Sequence, residues 1–305
     1  MHSILPLSQL TADQRSEAIA LLFAHHASTE RHERIDQFQS AIAAQELDPA
    51  TIFTAWSNNC IFGIQLVELL AGNAAALWAV RTRPGSERIA VEDALLQAAV
   101  ALLQAAGVKL AQCLLPPDEP FAADALRRNG LPRLTSVRHM RASSNVAQQP
   151  SLTLPAPTAF QPFSECELHT FERAFMESFE GTLDCPELND LRTADEILAG
   201  HRTSAPDRSR WWLIRQGDEA AGVLVLADAA TPDCWDLAYL GVIPAARRKG
   251  IGRAALAFAL HQANRAGKEG ITLMVDERNR PALDLYAQLG FVQWATRDVY
   301  LWRAK

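Results

Sequence analysis

The 305-residue sequence predicts an α/β protein built as two tandem folds, each a mixed central sheet flanked by helices. Three observations predict it. Strand-length apolar runs and helical patterns recur in the same order in both halves. A segment with four prolines and few charges, residues 142–162, separates the halves and reads as a linker. In the second half, a strand-like run leads through a glycine-containing turn into an alanine-rich helix. The expected boundaries are a first domain over 1–141, the linker over 142–162 and a second domain over 163–305.

In the first half, residues 52–56 and 61–69 bracket Ser57-Asn58-Asn59 and read as a hairpin. A strand over 75–80 precedes a long alanine–leucine helix over 91–106. A strand over 110–115, a helix over 120–129 ended by Gly130, and a strand over 136–141 follow. The second half repeats this plan. Helices fall within about residues 165–200. Residues 211–214 and 221–226 flank Arg215-Gln216-Gly217-Asp218-Glu219 as a second hairpin. Strands over 236–242 and 271–276 enclose a helix, and a last strand lies near 299–302.

Composition narrows the function. Hydrophobic residues make up 49% and charged residues 21%, which is globular. A net charge of −6 disfavours a general nucleic-acid binder. Five cysteines without a C-x-x-C pair argue against a disulfide framework and a zinc site. His25, His26 and His32 lack an accompanying ligand cluster, so no metal is expected. No apolar run is long enough to cross a bilayer, and a cytoplasmic protein with reduced thiols is expected.

The most informative stretch is Arg247-Arg248-Lys249-Gly250-Ile251-Gly252. Glycines let the backbone approach an anion closely. The first amides of a helix lack intrahelical acceptors and sit at the positive end of its dipole. Three cationic side chains add charge. No Gly-Lys-Ser/Thr follows, which removes the P-loop alternative. A second pattern lies downstream: Asn279, a plausible N-cap, then Pro281, then Ala282, Leu285, Tyr286 and Leu289 on one helical face, ended by Gly290 and followed by Phe291.

Val242-x-Pro244-x-x-Arg247-x-x-Gly250-x-Gly252 resembles the acyl-CoA-binding motif of the GNAT N-acetyltransferase superfamily. Asn279-x-x-Ala282-x-x-x-Tyr286-x-x-x-Gly290-Phe291 is similar to its second signature. The likeness is strong over about residues 160–305 and architectural over 1–141. It implies that the strands at 236–242 and 271–276 are parallel and splay apart. It also implies that pantetheine lies along Leu240, Gly241 and Val242. Pyrophosphate would then meet Arg247, Arg248, Lys249, Gly250, Ile251, Gly252 and Arg253, with Asn279 either orienting pantetheine or capping its helix. Tyr286 becomes the general acid, its alternative being an amphipathic core tyrosine. Asp236 becomes a general base, its alternative a surface aspartate at a strand start. Alternation puts Asp236, Ala238, Leu240 and Val242 on one strand face, with Trp235 and Tyr239 on the other.

The first half lacks this chemistry. Ile89 and Val91 stand where glycines should be, Leu126 stands opposite Tyr286 and Glu119 about opposite Asn279. The resemblance implies an acetyl-CoA-dependent N-acetyltransferase acting on a primary amine of a small molecule or aminoacyl group. Glu177, Glu180, Asp184 and Glu187 could anchor a cationic amine. A non-catalytic acyl-CoA-binding module and a structural partner protein stay open as alternatives, as does a homo-oligomer.

Overall fold

The computed structural model describes residues 2–145 and 158–304, so residues 146–157 of the expected linker lie outside the described residues. The chain divides into two compact units, Met1–Leu134 with Asp298–Lys305, and Thr135–Arg297.

The first unit opens with β1 (Ser3–Pro6) and two helices, α1 (Ala12–Leu22) and α2 (Ser28–Ala43). Thr11 and Gln14 form a capping box that starts α1. Then come β2 (Ile52–Ser57), β3 (Cys60–Leu70), β4 (Ala74–Leu77), β5 (Arg81–Thr82), α3 (Arg88–Ala105), β6 (Leu110–Leu115) and α4 (Pro120–Arg128). The sheet runs β1-β2-β3-β4-β6. Helix α3 buries Val91, Leu95, Leu96, Ala99 and Leu103. Gly63 permits this fit, because a Cβ there would stand 2.7 Å from Val91 and 2.8 Å from Leu95. Val91, expected to obstruct an anion, is thus a core residue, whereas Ile89 is exposed. The strand expected over 75–80 ends at Leu77.

The second unit holds β7 (Arg133–Ser143) from Thr135 on, β8 (Thr158–Pro162), α5 (Leu168–Glu177), α6 (Ala194–Ser204), β9 (Trp211–Gln216), β10 (Glu219–Asp228), β11 (Cys234–Val242), α7 (Ile251–Arg265), β12 (Gly270–Asp276), α8 (Arg280–Gln288) and β13 (Val292–Arg303) as far as Arg297. Its sheet runs β7-β12-β11-β10-β9-β8. β11 and β12 pair parallel, whereas β7–β12, β11–β10, β10–β9 and β9–β8 pair antiparallel. Helices α7 and α8 cover one face. Ala254, Ala255, Ala259 and Ala263 bring α7 close to the sheet, and Leu256 and Leu260 fill the gaps. On the other face, Phe171 and Phe175 of α5 and Leu198 of α6 pack on Leu213, Val223 and Val225.

Each unit takes one strand from the other half of the sequence. β7 pairs antiparallel with β12, from Ser143↔Gly270 to Val137↔Asp276. Residues 298–303 of β13 pair with β6, from Asp298↔Leu115 to Arg303↔Leu110. β13 is longer than the strand expected over 299–302: Val292 to Trp294 are exposed, and the continuous buried run is Val299 to Trp302.

Candidate active site

The site grows from a fork between β11 and β12. Their parallel register covers three pairs, the last being Asp236↔Thr272. Beyond it, residues 237–242 keep β10 as neighbour and leave β12. A bulge marks the divergence. Val225 pairs with Tyr239 and Leu226 with Leu237, so Ala238 is one residue too many. Such an insertion bends a strand and increases its twist.

The bulge also corrects the expected alternation. Trp235 and Leu237 pack on the α7 side, and so do Leu240 and Val242. Ala238 and Tyr239 pack instead with the α5–α6 core. The extra residue advances the pleat by one, so Trp235 and Tyr239 do not share a face.

Gly241 leaves room for the end of α5. A Cβ there would stand 2.1 Å from Ser178 Oγ. The Ser178 hydroxyl donates to Phe175 O at 2.6 Å, so the Tyr239 hydroxyl donates to Ser178 Oγ at 2.7 Å. Burial pushes the Tyr239 phenol above its ordinary range. Arg247 ties the same elements together: Nε donates to Val242 O at 3.0 Å and a terminal nitrogen donates to Ser178 O at 3.0 Å. Its guanidinium is therefore engaged by protein carbonyls.

At the mouth of the fork, Arg248 (φ 64°) and Gly250 (φ 80°) adopt left-handed backbone. Backbone of this kind gathers N–H groups into an anion-binding concavity. The first bond of α7 here runs from Ala254 N to Gly250 O at 3.0 Å, leaving the preceding amides without an intrahelical acceptor. Arg248 and Lys249 are exposed. Ile251 is buried, so only its backbone can serve a ligand. Gly252 lies against α8, where a Cβ would meet Leu285 at 3.2 Å. Arg253 donates to Gln288 Oε1.

Asn279 Oδ1 accepts from Ala282 N at 3.3 Å and caps α8. Tyr286 is half-buried, with its ring centroid 5.5 Å from that of Phe291. Burial pushes its phenol well above the ordinary value, and the Asp184 charge acts in the same direction. The phenol therefore keeps its proton at neutral pH. At the base of the fork, Thr272 Oγ1 donates to Asp236 Oδ1 at 2.8 Å. Burial raises the Asp236 carboxyl above the usual range, and the Thr272 hydrogen bond opposes the rise.

A lock missed by sequence reading closes one side. Asp276 N donates to Asp184 Oδ1 at 2.8 Å, and Cys185 N donates to Asp276 Oδ2 at 3.1 Å. Thr135 Oγ1 donates to Asp276 Oδ1 at 2.8 Å. Arg278 bonds both oxygens of Asp276 and both of Glu187, the latter at 2.6 and 2.9 Å. Burial alone would raise the Asp276 carboxyl, yet these donors, Arg278 foremost, hold it down at about 2. Burial raises Asp184 instead. The two carboxyls thus shift in opposite directions: the protein around the Asp184 carboxyl group desolvates it although the residue as a whole is exposed, whereas Asp276 is held charged by its donors. Glu187 and Asp184 serve this lock, while Glu177 lies 3.8 Å from Arg173 and Glu180 is exposed. Ligand atoms of Asp184, Cys185 and Asp276 lie within 4.8 Å of one another. Arg278 already neutralises Asp276, and burial keeps the Cys185 thiol protonated, so the donor set suits hydrogen bonding better than a cation.

A sequence model of the Acetyltransferase (GNAT) family matches residues 168–291, the stretch that builds the fork, the turn and α8. A mycothiol acetyltransferase from Geodermatophilus obscurus is 28% identical over 233 residues, covering 73% of this chain and 72% of that protein. One from Salinispora arenicola is 32% identical over 134 residues, covering 37% of this chain and 42% of that protein. A GCN5-related N-acetyltransferase from Sphaerobacter thermophilus superposes with a TM-score of 0.66 at 16% identity, covering 99% of this chain and 95% of that one. A tandem GNAT protein from the clavulanic acid biosynthesis pathway gives 0.54 at 13% identity, covering 100% and 99%. Those two likenesses are of fold. Residues 168–291 thus carry the sequence pattern of a GNAT-family acetyltransferase domain.

Proposed function

We propose that the second unit moves an acetyl group from acetyl-CoA to the primary amine of a small molecule, by direct attack on the thioester. The observation that carries this reading is the fork that opens after Asp236↔Thr272, with the α7 turn at its mouth. The residues present suit the co-substrate. The edge of β11 past Asp236 has lost its parallel neighbour, so backbone along Leu240, Gly241 and Val242, apart from the Val242 carbonyl that Arg247 holds, faces the opening an amide-bearing arm would enter. The turn from Ile243 to Arg253 contains no acidic residue. Its amides and the exposed Arg248 and Lys249 suit a diphosphate.

When bound, acetyl-CoA supplies an activated carbonyl on a thiol leaving group. Asp236, directly or through water, takes a proton from the amine nitrogen as the C–N bond forms. Tyr286 gives its hydroxyl proton to sulfur as the C–S bond breaks. Asp236 then releases its proton to solvent and Tyr286 regains one, so the protein is unchanged over the cycle. Mycothiol-related amines head the acceptor panel because the relatives carry that name. Polyamines, amino acids and aminoglycosides complete it.

Calorimetry on Arg248→Glu/Lys249→Glu tests the co-substrate site. Two reversed charges should weaken acetyl-CoA binding by at least about tenfold without altering stability. Unchanged affinity would overturn the reading. Thiol release across the panel identifies the acceptor.

A further inference from the structure

We propose that Arg278 is a positioning residue for the acceptor: by gripping Asp276 and Glu187 together it holds the 182–188 segment against the end of β12, and so holds the Asp184 carboxylate where the cationic end of the amine enters. This rests on the transferase reading above and names a part of the same site.

The geometry is reciprocal. Asp184 and Cys185 on one side exchange backbone and carboxylate bonds with Asp276 on the other. Backbone at Cys185 sits in the left-handed region (φ 44°), which a non-glycine residue rarely adopts unaided. Arg278 covers the exchange, with its fork on both carboxylates. The segment held this way is short of core contacts of its own: Leu183 is an exposed large hydrophobic residue, and Asp184 and Glu187 are exposed. Its placement therefore depends on the ionic lock more than on apolar burial.

Asp184 is what the lock presents. Its Oδ1 accepts from the Asp276 amide, while Oδ2 has no hydrogen-bond partner among the described residues. Its charge reaches both Tyr286 and Tyr239, the two phenols that flank the fork. Asp276, although close by, is neutralised by Arg278 and fully buried, so it cannot compete for a cation. Arg278, engaged with Asp276 and Glu187, offsets the Asp184 charge only through space, and a carboxylate with one oxygen still open selects a cationic group.

The test compares Arg278→Ala, Arg278→Lys and Asp184→Asn in the full chain. The probe is the panel amine with the highest turnover. Arg278→Ala should raise the amine KM by about tenfold or more, hold kcat within about threefold, and keep the acetyl-CoA Kd within about twofold. It should also speed iodoacetamide modification of Cys185, read by peptide mass spectrometry, because burial in the held segment keeps the thiol protonated. Arg278→Lys, which lacks the planar fork, should restore only part of the KM. Asp184→Asn should raise the amine KM without faster Cys185 modification. Unchanged KM in Arg278→Ala, or an equal loss of acetyl-CoA affinity, overturns the proposal. Failure of the wild-type protein to bind acetyl-CoA overturns the transferase reading instead, and Cys185 modification still reports on the lock.

Discussion

The Asp236 carboxylate accepts a hydrogen bond from the Thr272 hydroxyl at 2.8 Å, at the last position where β11 and β12 remain in register. The bond favours the charged carboxylate, while burial favours the neutral acid. Thr272→Val removes the first influence and leaves the second. The acid limb of the kcat/KM profile should then move to higher pH. Asp236→Asn should abolish that limb and lower kcat/KM by about 100-fold. Identical profiles for wild type and both variants would remove Asp236 from the reaction.

Tyr286 holds its proton because of its burial and because of the nearby Asp184. Tyr286→Phe should lower kcat by about 100-fold while acetyl-CoA affinity measured by calorimetry stays the same. Full activity in the variant would leave Tyr286 as a packing residue.

Gly241 and Gly222 face crowded surroundings. A methyl group at Gly241 would meet Ser178 Oγ at 2.1 Å and Tyr239 at 2.7 Å. One at Gly222 would meet the carbonyl oxygen of Gly241, also at 2.1 Å. Gly241→Ala and Gly222→Ala should each cost about 1–3 kcal/mol in urea denaturation, with Gly222→Ala the worse because backbone cannot rotate aside. A stability loss within error would show that the strands yield freely.

Burial, then the charge of Arg192, lowers His201 from 6.5 to about 4. Burial, then Arg81, lowers His25 to about 4 as well. A folded pKa below the unfolded value means that the unfolded chain binds protons first. The stability these residues preserve is complete above pH 6.5 and is lost as pH falls from 6.5 through 4. Urea midpoints should decline over that window. His201→Phe should flatten the decline for the second unit, and His25→Phe for the first.

The turn and α8 were legible because local chemistry specifies them. Pro244, Gly250, Asn279 and Gly290 each act within a few residues of themselves. Asn279 acts as the expected cap, its Oδ1 accepting from Ala282 N. The bulge at Ala238 was not legible, because the register of β10 creates it and Leu237-Ala238-Tyr239 carries no turn residue. Arg278 escaped notice for a different reason: Asp184 and Asp276 are 92 positions apart, and neither is unusual where it stands. Helix α2 went unread because it is mostly polar, with Phe38 its only buried large apolar side chain among the described residues, and α1 because its apolar residues cluster at its end, Ala18 to Leu22. Their packing comes from the sheet they meet, through Ile52, Ile61 and Ile64.

The exchange of β7 and the end of β13 between sequence halves bears on biosynthesis. During translation, the amino-terminal globule lacks a strand until residues 298–303 have been made, because they complete its sheet. Until then the edge of β6 stays open to mispairing. Cutting the polypeptide between its halves would yield two incomplete products, whereas co-expressed fragments could regain a full complement of strands only by finding each other.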